Sequence, residues 1–312
     1  MCQLVSLTKY LIRLIPSALI GVIYLTKNDQ FFIDDAENNM GRCLVLTAPW
    51  SDSIKSIIEK ENISVLRLSQ SAGWKGDDIS FLKELPSLRG VEVYSWGVKD
   101  LTPLQSLKGL EYLGLQCEFS KAPDFSDFKS LKICKLLWRP KAKTVFACSG
   151  LSLLNIVNYP SGDLADIESM KDLQRLQLTS KKLVSLSGIE KLVSLSTLDL
   201  AECSKLENLS GVERCQQLET VELEGCKKVH DISLLGDLEN IKNLVLTDCG
   251  KIRSLQPLAS CRLLENITFV GDTIIEDGIL APLLDIPQLK KMWFVDKEHY
   301  SHKRDQVATI LS

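Results

Sequence analysis

The sequence predicts an α/β repeat solenoid, with parallel strands along one side and short 3₁₀ or helical turns along the other. Three observations carry this. Leu195, Leu218 and Ile241 stand 23 residues apart, and so do Cys203, Cys226 and Cys249. Each line aligned in this way is apolar again three and five positions on, as in Leu198 and Leu200, Val221 and Leu223, or Leu244 and Leu246. That alternation marks a strand with one buried face. Between the strands runs a second apolar series at every third residue, such as Leu183, Leu186, Ile189 and Leu192. A period of three suits 3₁₀ turns better than a long α-helix. A fixed period of this size means that each unit buries its apolar side only against its neighbours.

Taken in order, residues 1–20 carry Leu4, Leu7, Leu11 and Leu14 at helical spacing, with Gln3, Ser6, Lys9 and Arg13 on the other stripe. This predicts an amphipathic helix that ends or kinks at Pro16. Apolar runs at 22–25 and 31–33 flank Lys27, Asn28, Asp29 and Gln30 and predict a hairpin. Residues 43–46 read as a buried strand. Ser51, Asp52 and Ser53 then open a helix through about Lys60, where a side-chain oxygen is placed to accept from the first-turn N–H groups. The expected organisation is a helix, hairpin and strand–helix cap over 1–62, a repeat array over 63–288, and a last strand with a C-terminal cap over 289–312. Caps are needed because the end units of a stack otherwise expose their apolar edge.

The strand triplets begin at Ile63, Leu88, Leu110, Leu131, Leu151, Leu173, Leu195, Leu218, Ile241, Leu264 and Leu289. Their pattern, L-x-x-L-x-L-x-x-C-x-x-L in the clearest lines, resembles the leucine-rich repeat. The 22-residue units are similar to those of internalins and of leucine-rich phosphatase regulators. The 23-residue Cys units look like those of plant disease-resistance proteins. The resemblance covers residues 63–294. It implies a curved, right-handed superhelix with its parallel sheet on the concave face, and it says almost nothing about function.

Net charge is −3 and the pI about 5.8, with no basic stripe, which argues against nucleic acid as the partner. The ten cysteines follow the repeat and do not pair locally, so they are expected to be reduced, buried and cytoplasmic. Export is the alternative, if residues 1–25 act as a signal. The uncharged run after Arg13 is about 12 residues long, short of the roughly 20 a membrane span needs, so no stable membrane insertion is expected.

No nucleotide-binding or nucleophile-elbow motif is present, and the histidines are only His230, His299 and His302. His299 and His302 have the i, i+3 spacing that metal ligands can adopt, but no carboxylate–His motif completes them. Asp34, Asp35 and Glu37 read as a solvated turn. Cys203, Cys226 and Cys249 sit where leucine-rich repeats turn a side chain inward to serve turn backbone groups. No cofactor and no metal are expected.

Function should therefore lie between the leucines. Positions two, four and six of each triplet face away from the core. In the N-terminal half they and the adjoining rim carry Arg67, Tyr94, Trp96, Tyr112, Lys135, Trp138, Arg139 and Tyr159. Trp, Tyr and Arg dominate interface hot spots, so this group is the expected partner-binding surface. Trp96 and Tyr159 have a second reading, as inward substitutes for the Cys of their turns. The later repeats present Glu222 and Glu224 instead. The expected function is a non-enzymatic module binding a protein partner on this face. The specific versions are a bacterial immunity or inhibitor protein, or a secreted or surface-attached internalin-like binder.

Overall fold

A computed structural model describes residues 26–312. The expected helix over 1–20 and the first hairpin strand at 22–25 lie outside the described residues. The described residues fall into two compact units, the first ending at Val157 and the second Asn158–Ser312.

In the first unit, β1 (Thr26–Lys27) and β2 (Phe31–Asp35) pair antiparallel. Asn28 Oδ1 closes their turn by accepting from the N–H groups of Gln30 and Phe31 at 2.8 and 2.9 Å. Strand β2 also pairs antiparallel with β3 (Arg42–Leu46). Helix α1 (Asp52–Lys60) buries Ile54 and Ile58. Its expected side-chain cap is absent, because the Ser51 hydroxyl pairs with that of Ser53 at 2.8 Å. From β3 onward every pairing is parallel, through β4 (Val65–Ser69), β5 (Gly90–Tyr94), β6 (Tyr112–Gln116), β7 (Ile133–Leu137) and β8 (Leu153–Val157). The register puts Val65, Gly90, Tyr112, Ile133 and Leu153 in one row.

In the second unit, β9 (Arg175–Thr179), β10 (Thr197–Ala201), β11 (Thr220–Glu224), β12 (Asn243–Thr247), β14 (Asn266–Val270) and β16 (Lys291–Phe294) continue the parallel pattern. A small parallel pair, β13 (Lys251–Ile252) with β15 (Ile274–Ile275), lies off that sheet. Helix α2 (Ala281–Leu284) precedes β16, and α3 (Arg304–Ile310) follows it.

This is the leucine-rich-repeat architecture that the periodicity predicts. The eleven triplet starts, and the apolar residues three and five positions beyond each, are all buried. The returns are 3₁₀ turns, and several open with an acidic side chain accepting from the N–H two residues on. Asp100 holds Thr102 in this way, Asp124 holds Ser126, and Asp231 holds Ser233. Such local bonds satisfy donors that a 3₁₀ start leaves open.

The cysteines form a ladder. Cys203, Cys226 and Cys249 are fully buried, and Sγ of Cys226 and Cys249 reaches the carbonyls of Leu200 and Leu223 in the preceding repeat, at 3.6 and 3.2 Å. Thr273 continues the series. Its hydroxyl donates to the Leu246 carbonyl at 3.1 Å and accepts from the Cys249 N–H at 3.0 Å. As each strand ends, one residue turns left-handed, and these residues alternate as Glu202, Gly225, Asp248 and Gly271. The alternation has a packing cause. A Cβ on Gly225 would meet Glu202, and one on Gly271 would collide with Asp248 Oδ1.

Candidate functional face

The sheet face opposite the 3₁₀ turns was expected to be open. In the first unit it is not. Ala36 and Met40, from the β2–β3 connection, belong to one buried apolar cluster with Cys43, Val45, Val65, Tyr112, Ile133 and Leu153. The connection is shaped for this by a short turn in which Asn38, Asn39 and Gly41 all have positive φ. Its Glu37 takes an ion pair from Lys135, far along the chain on β7. Glu37 therefore corrects the solvated-turn reading.

Beneath lies a polar cluster centred on Glu92, whose side chain is 0% exposed. Arg67 on β4 makes an ion pair with it, and Tyr94 and Tyr112 both donate their hydroxyls to Oε1. A buried carboxylate is costly unless it is paired and hydrogen-bonded, and here both conditions are met. Burial works against the Arg67 charge, yet Glu92 holds the guanidinium above its ordinary value. Burial also pushes both tyrosine hydroxyls well up. Lys135 Nζ lies 5.8 Å from the centre of the Tyr112 ring.

Two glycines make the cluster possible. A Cβ on Gly114 would stand 2.7 Å from Tyr94 Oη, and one on Gly90 would stand 3.2 Å from the Tyr112 ring. A glycine inside a strand marks a close approach of this kind. That signal is present in the sequence at Gly90 and Gly114, and it is what a reading of the aromatics alone passes over.

The expected contact residues thus divide. Arg67, Tyr94, Tyr112 and Lys135 are consumed by the buried cluster and have little or no surface to offer. Tyr159, in the second unit, is also buried. It turns inward as its second reading had it, and its hydroxyl donates to the Asp163 carbonyl at 2.8 Å. Trp96 does the opposite and is 41% exposed. Trp138 is half-buried and stacks on Phe146 at 5.0 Å between ring centres. Arg139 donates to the Trp138 carbonyl at 3.0 Å and reaches Glu118 at 3.4 Å. Trp96, Trp138 and Arg139 all follow the C-terminal ends of their strands, so the accessible part of the expected surface is a rim and not a face.

Among the described residues no group of three His, Cys, Asp or Glu side chains could hold a metal ion. His299 and His302 do not converge. Nε2 of His299 bonds to the Ile275 carbonyl at 2.8 Å, and Nδ1 of His302 bonds to the Ser301 hydroxyl at 3.0 Å. No described helix is long and apolar enough to cross a membrane.

No family model and no curated protein matches the chain. Solved structures do. An internalin (inlF) from Listeria monocytogenes is 17% identical, with 82% of this chain and 83% of that one covered and a TM-score of 0.52. An internalin C2 from the same organism is 17% identical, over 69% of this chain and 84% of that one, with a TM-score of 0.46. The functional domain of InlJ from Listeria monocytogenes, described as including a cysteine ladder, is 14% identical over 80% of this chain and 57% of that one, with a TM-score of 0.49. The first of these likenesses shows the fold to be that of internalin-like leucine-rich repeats. It also corrects the cytoplasmic placement: the fold is like that of the internalins named above as the alternative to that reading. The buried thiols on which the placement rested report packing and do not identify a compartment.

Proposed function

We infer that the chain is an exported, non-enzymatic binding module of the internalin kind, which holds a protein partner at the rim formed by Trp96, Trp138 and Arg139. The observation that carries this is the placement of these three side chains. They remain accessible where the neighbouring aromatics are buried, and they follow β5 and β7, which are two strand steps or about 10 Å apart. Two indoles and a guanidinium are the side chains most often found at the centre of interfaces. The internalin-like fold supports export, and the 22-residue units are read as internalin-like on the same ground. The test has two arms. Intact cells of the native host are treated with protease, and the chain should be cleaved without lysis. Partner captured by the wild-type chain should be lost with Trp96→Ala plus Trp138→Ala. Protection until lysis rejects the export arm, and undiminished capture rejects the rim.

A further inference from the structure

In the first unit, the loops that follow β3 and β4 enclose a cavity of about 400 Å³, whose lining combines three aromatic rings, Trp50, Trp74 and Phe81, with three carboxylates, Asp77, Asp78 and Glu84. Pockets for small ligands run from about 300 to 1,000 Å³, so this one admits a single side chain. The rings are fixed by packing. Trp50 stacks on Phe81 with 4.3 Å between ring centres and 5° between planes, and Trp74 is buried. The chain runs so close against Trp74 that a Cβ on Gly76 would stand 2.5 Å from the indole, and Asp77 and Asp78 follow directly. The carboxylates are exposed and largely without counter-charge. Asp78 opens its 3₁₀ turn as Asp100 does in the next repeat, accepting from the N–H and hydroxyl of Ser80 at 2.8 and 2.7 Å. Among the described residues, only Glu84 of the three has an ion-pair partner, Lys55 Nζ at 3.3 Å. No cation lines the cavity. A Cβ on Gly97 would stand 3.4 Å from Cβ of Asp77, so the loop that carries Trp96 abuts the acidic part of this site.

We propose that this cavity is the anchor pocket for one arginine side chain of the protein partner, its guanidinium held by the carboxylates of Asp77 and Glu84 against the aromatic wall. This deepens the rim-binding reading above, extends the rim from Trp96 toward β3, and rests on that reading's premise of a protein partner. Charge excludes an anion. The indoles of Trp50 and Trp74 offer N–H donors, but a carboxylate or phosphate brought to them meets three negative charges. A neutral side chain would cover the carboxylates and leave them without a donor, which costs free energy. Between the two basic side chains, the aromatic wall selects arginine. Its planar guanidinium stacks on rings, pairs with carboxylates through two donors at once, and is less strongly hydrated than the lysine ammonium.

The full chain is titrated at constant ionic strength with N-acetyl-argininamide, N-acetyl-lysinamide and the neutral isostere N-acetyl-citrullinamide, and the indole N–H resonance of Trp50 is followed by NMR. The expected result is saturable binding of the arginine probe at millimolar concentrations, about fivefold or more tighter than citrulline and about threefold tighter than lysine. Asp77→Asn plus Glu84→Gln keeps the shape of the site and should bring arginine to within about twofold of citrulline. No saturable shift, citrulline or lysine bound as tightly as arginine, or an arginine preference that survives the double change would each overturn the proposal. Partner capture separates the anchor from the rim. Capture that needs Trp96 and Trp138 while the arginine probe fails rejects the anchor and keeps the rim. Capture that ignores both tryptophans but is lost with Asp77→Asn plus Glu84→Gln keeps the anchor and rejects the rim. Capture that ignores all four changes rejects both.

Discussion

The Tyr94 hydroxyl occupies the space that a side chain on Gly114 would take, 2.7 Å from where its Cβ would lie. Strand β6 carries nothing at that position so that a tyrosine from β5 can lean across it and reach Glu92. Gly114→Val should push Tyr94 away, strip Glu92 of one donor and destabilise the first unit by about 1–3 kcal/mol. Urea unfolding measures this. Stability within about 0.5 kcal/mol of wild type would show that the cluster is not packed as described.

The ion pair beneath gives a second prediction. Arg67 and Glu92 are cross-strand neighbours in register, and Glu92 has no exposed side-chain surface. Glu92→Ala leaves a buried guanidinium unpaired and should cost about 3–5 kcal/mol. Replacing both, as Arg67→Met with Glu92→Leu, should cost clearly less than the single change, since the remaining charge goes too. A double variant as damaging as the single one would mean that the loss comes from shape and not charge.

The framework gives a third. Leu200 belongs to β10 and has no accessible surface. Leu200→Ala should cost about 2–5 kcal/mol. Hydrogen exchange should loosen mainly in the adjoining repeats, since contacts in a stack are local. Uniform loosening throughout the chain would contradict this.

The thiols give a pH prediction. All nine described cysteines are free and buried. Burial pushes Cys148 and Cys261 up to about 11, and Cys117, Cys215 and Cys249 up to about 12, from an ordinary 9.0. The folded chain therefore keeps protons that the unfolded chain would release. Stability should be full below about pH 9 and fall as pH rises from there through 11 to 12. A thiol reagent at neutral pH should leave these nine untouched until urea unfolds the chain. Rapid labelling of the native chain, or stability that rises between pH 9 and 11, would contradict the burial.

How much of this was legible beforehand differs between framework and face. The triplet at Leu195, Leu198 and Leu200 specifies a strand, a register and a core by spacing alone, because in a repeat each unit is packed by copies of itself. Hence the strands, 3₁₀ turns and cysteine ladder follow from sequence. The face does not repeat. Whether Tyr112 points into solvent or under a cover depends on where Ala36–Met40 lies, and no periodicity encodes a contact between Glu37 and Lys135, which are 98 residues apart. Trp96 and Tyr159 occupy equivalent repeat positions, yet one is exposed and the other buried. Only the glycines at 90 and 114 carried a local hint of the close packing.

The central claim is that the first unit binds through its rim and not through the covered sheet face. It is tested most directly by measuring affinity for the captured partner with three chains: wild type, Trp96→Ala plus Trp138→Ala, and Tyr112→Phe. The account predicts that the rim variant loses at least about 2 kcal/mol of binding with its unfolding midpoint little changed. It predicts that Tyr112→Phe loses stability with its affinity unchanged. Full affinity in the rim variant, together with loss of binding in a chain reversed in charge at Glu222 and Glu224, would contradict it and put the site in the second unit.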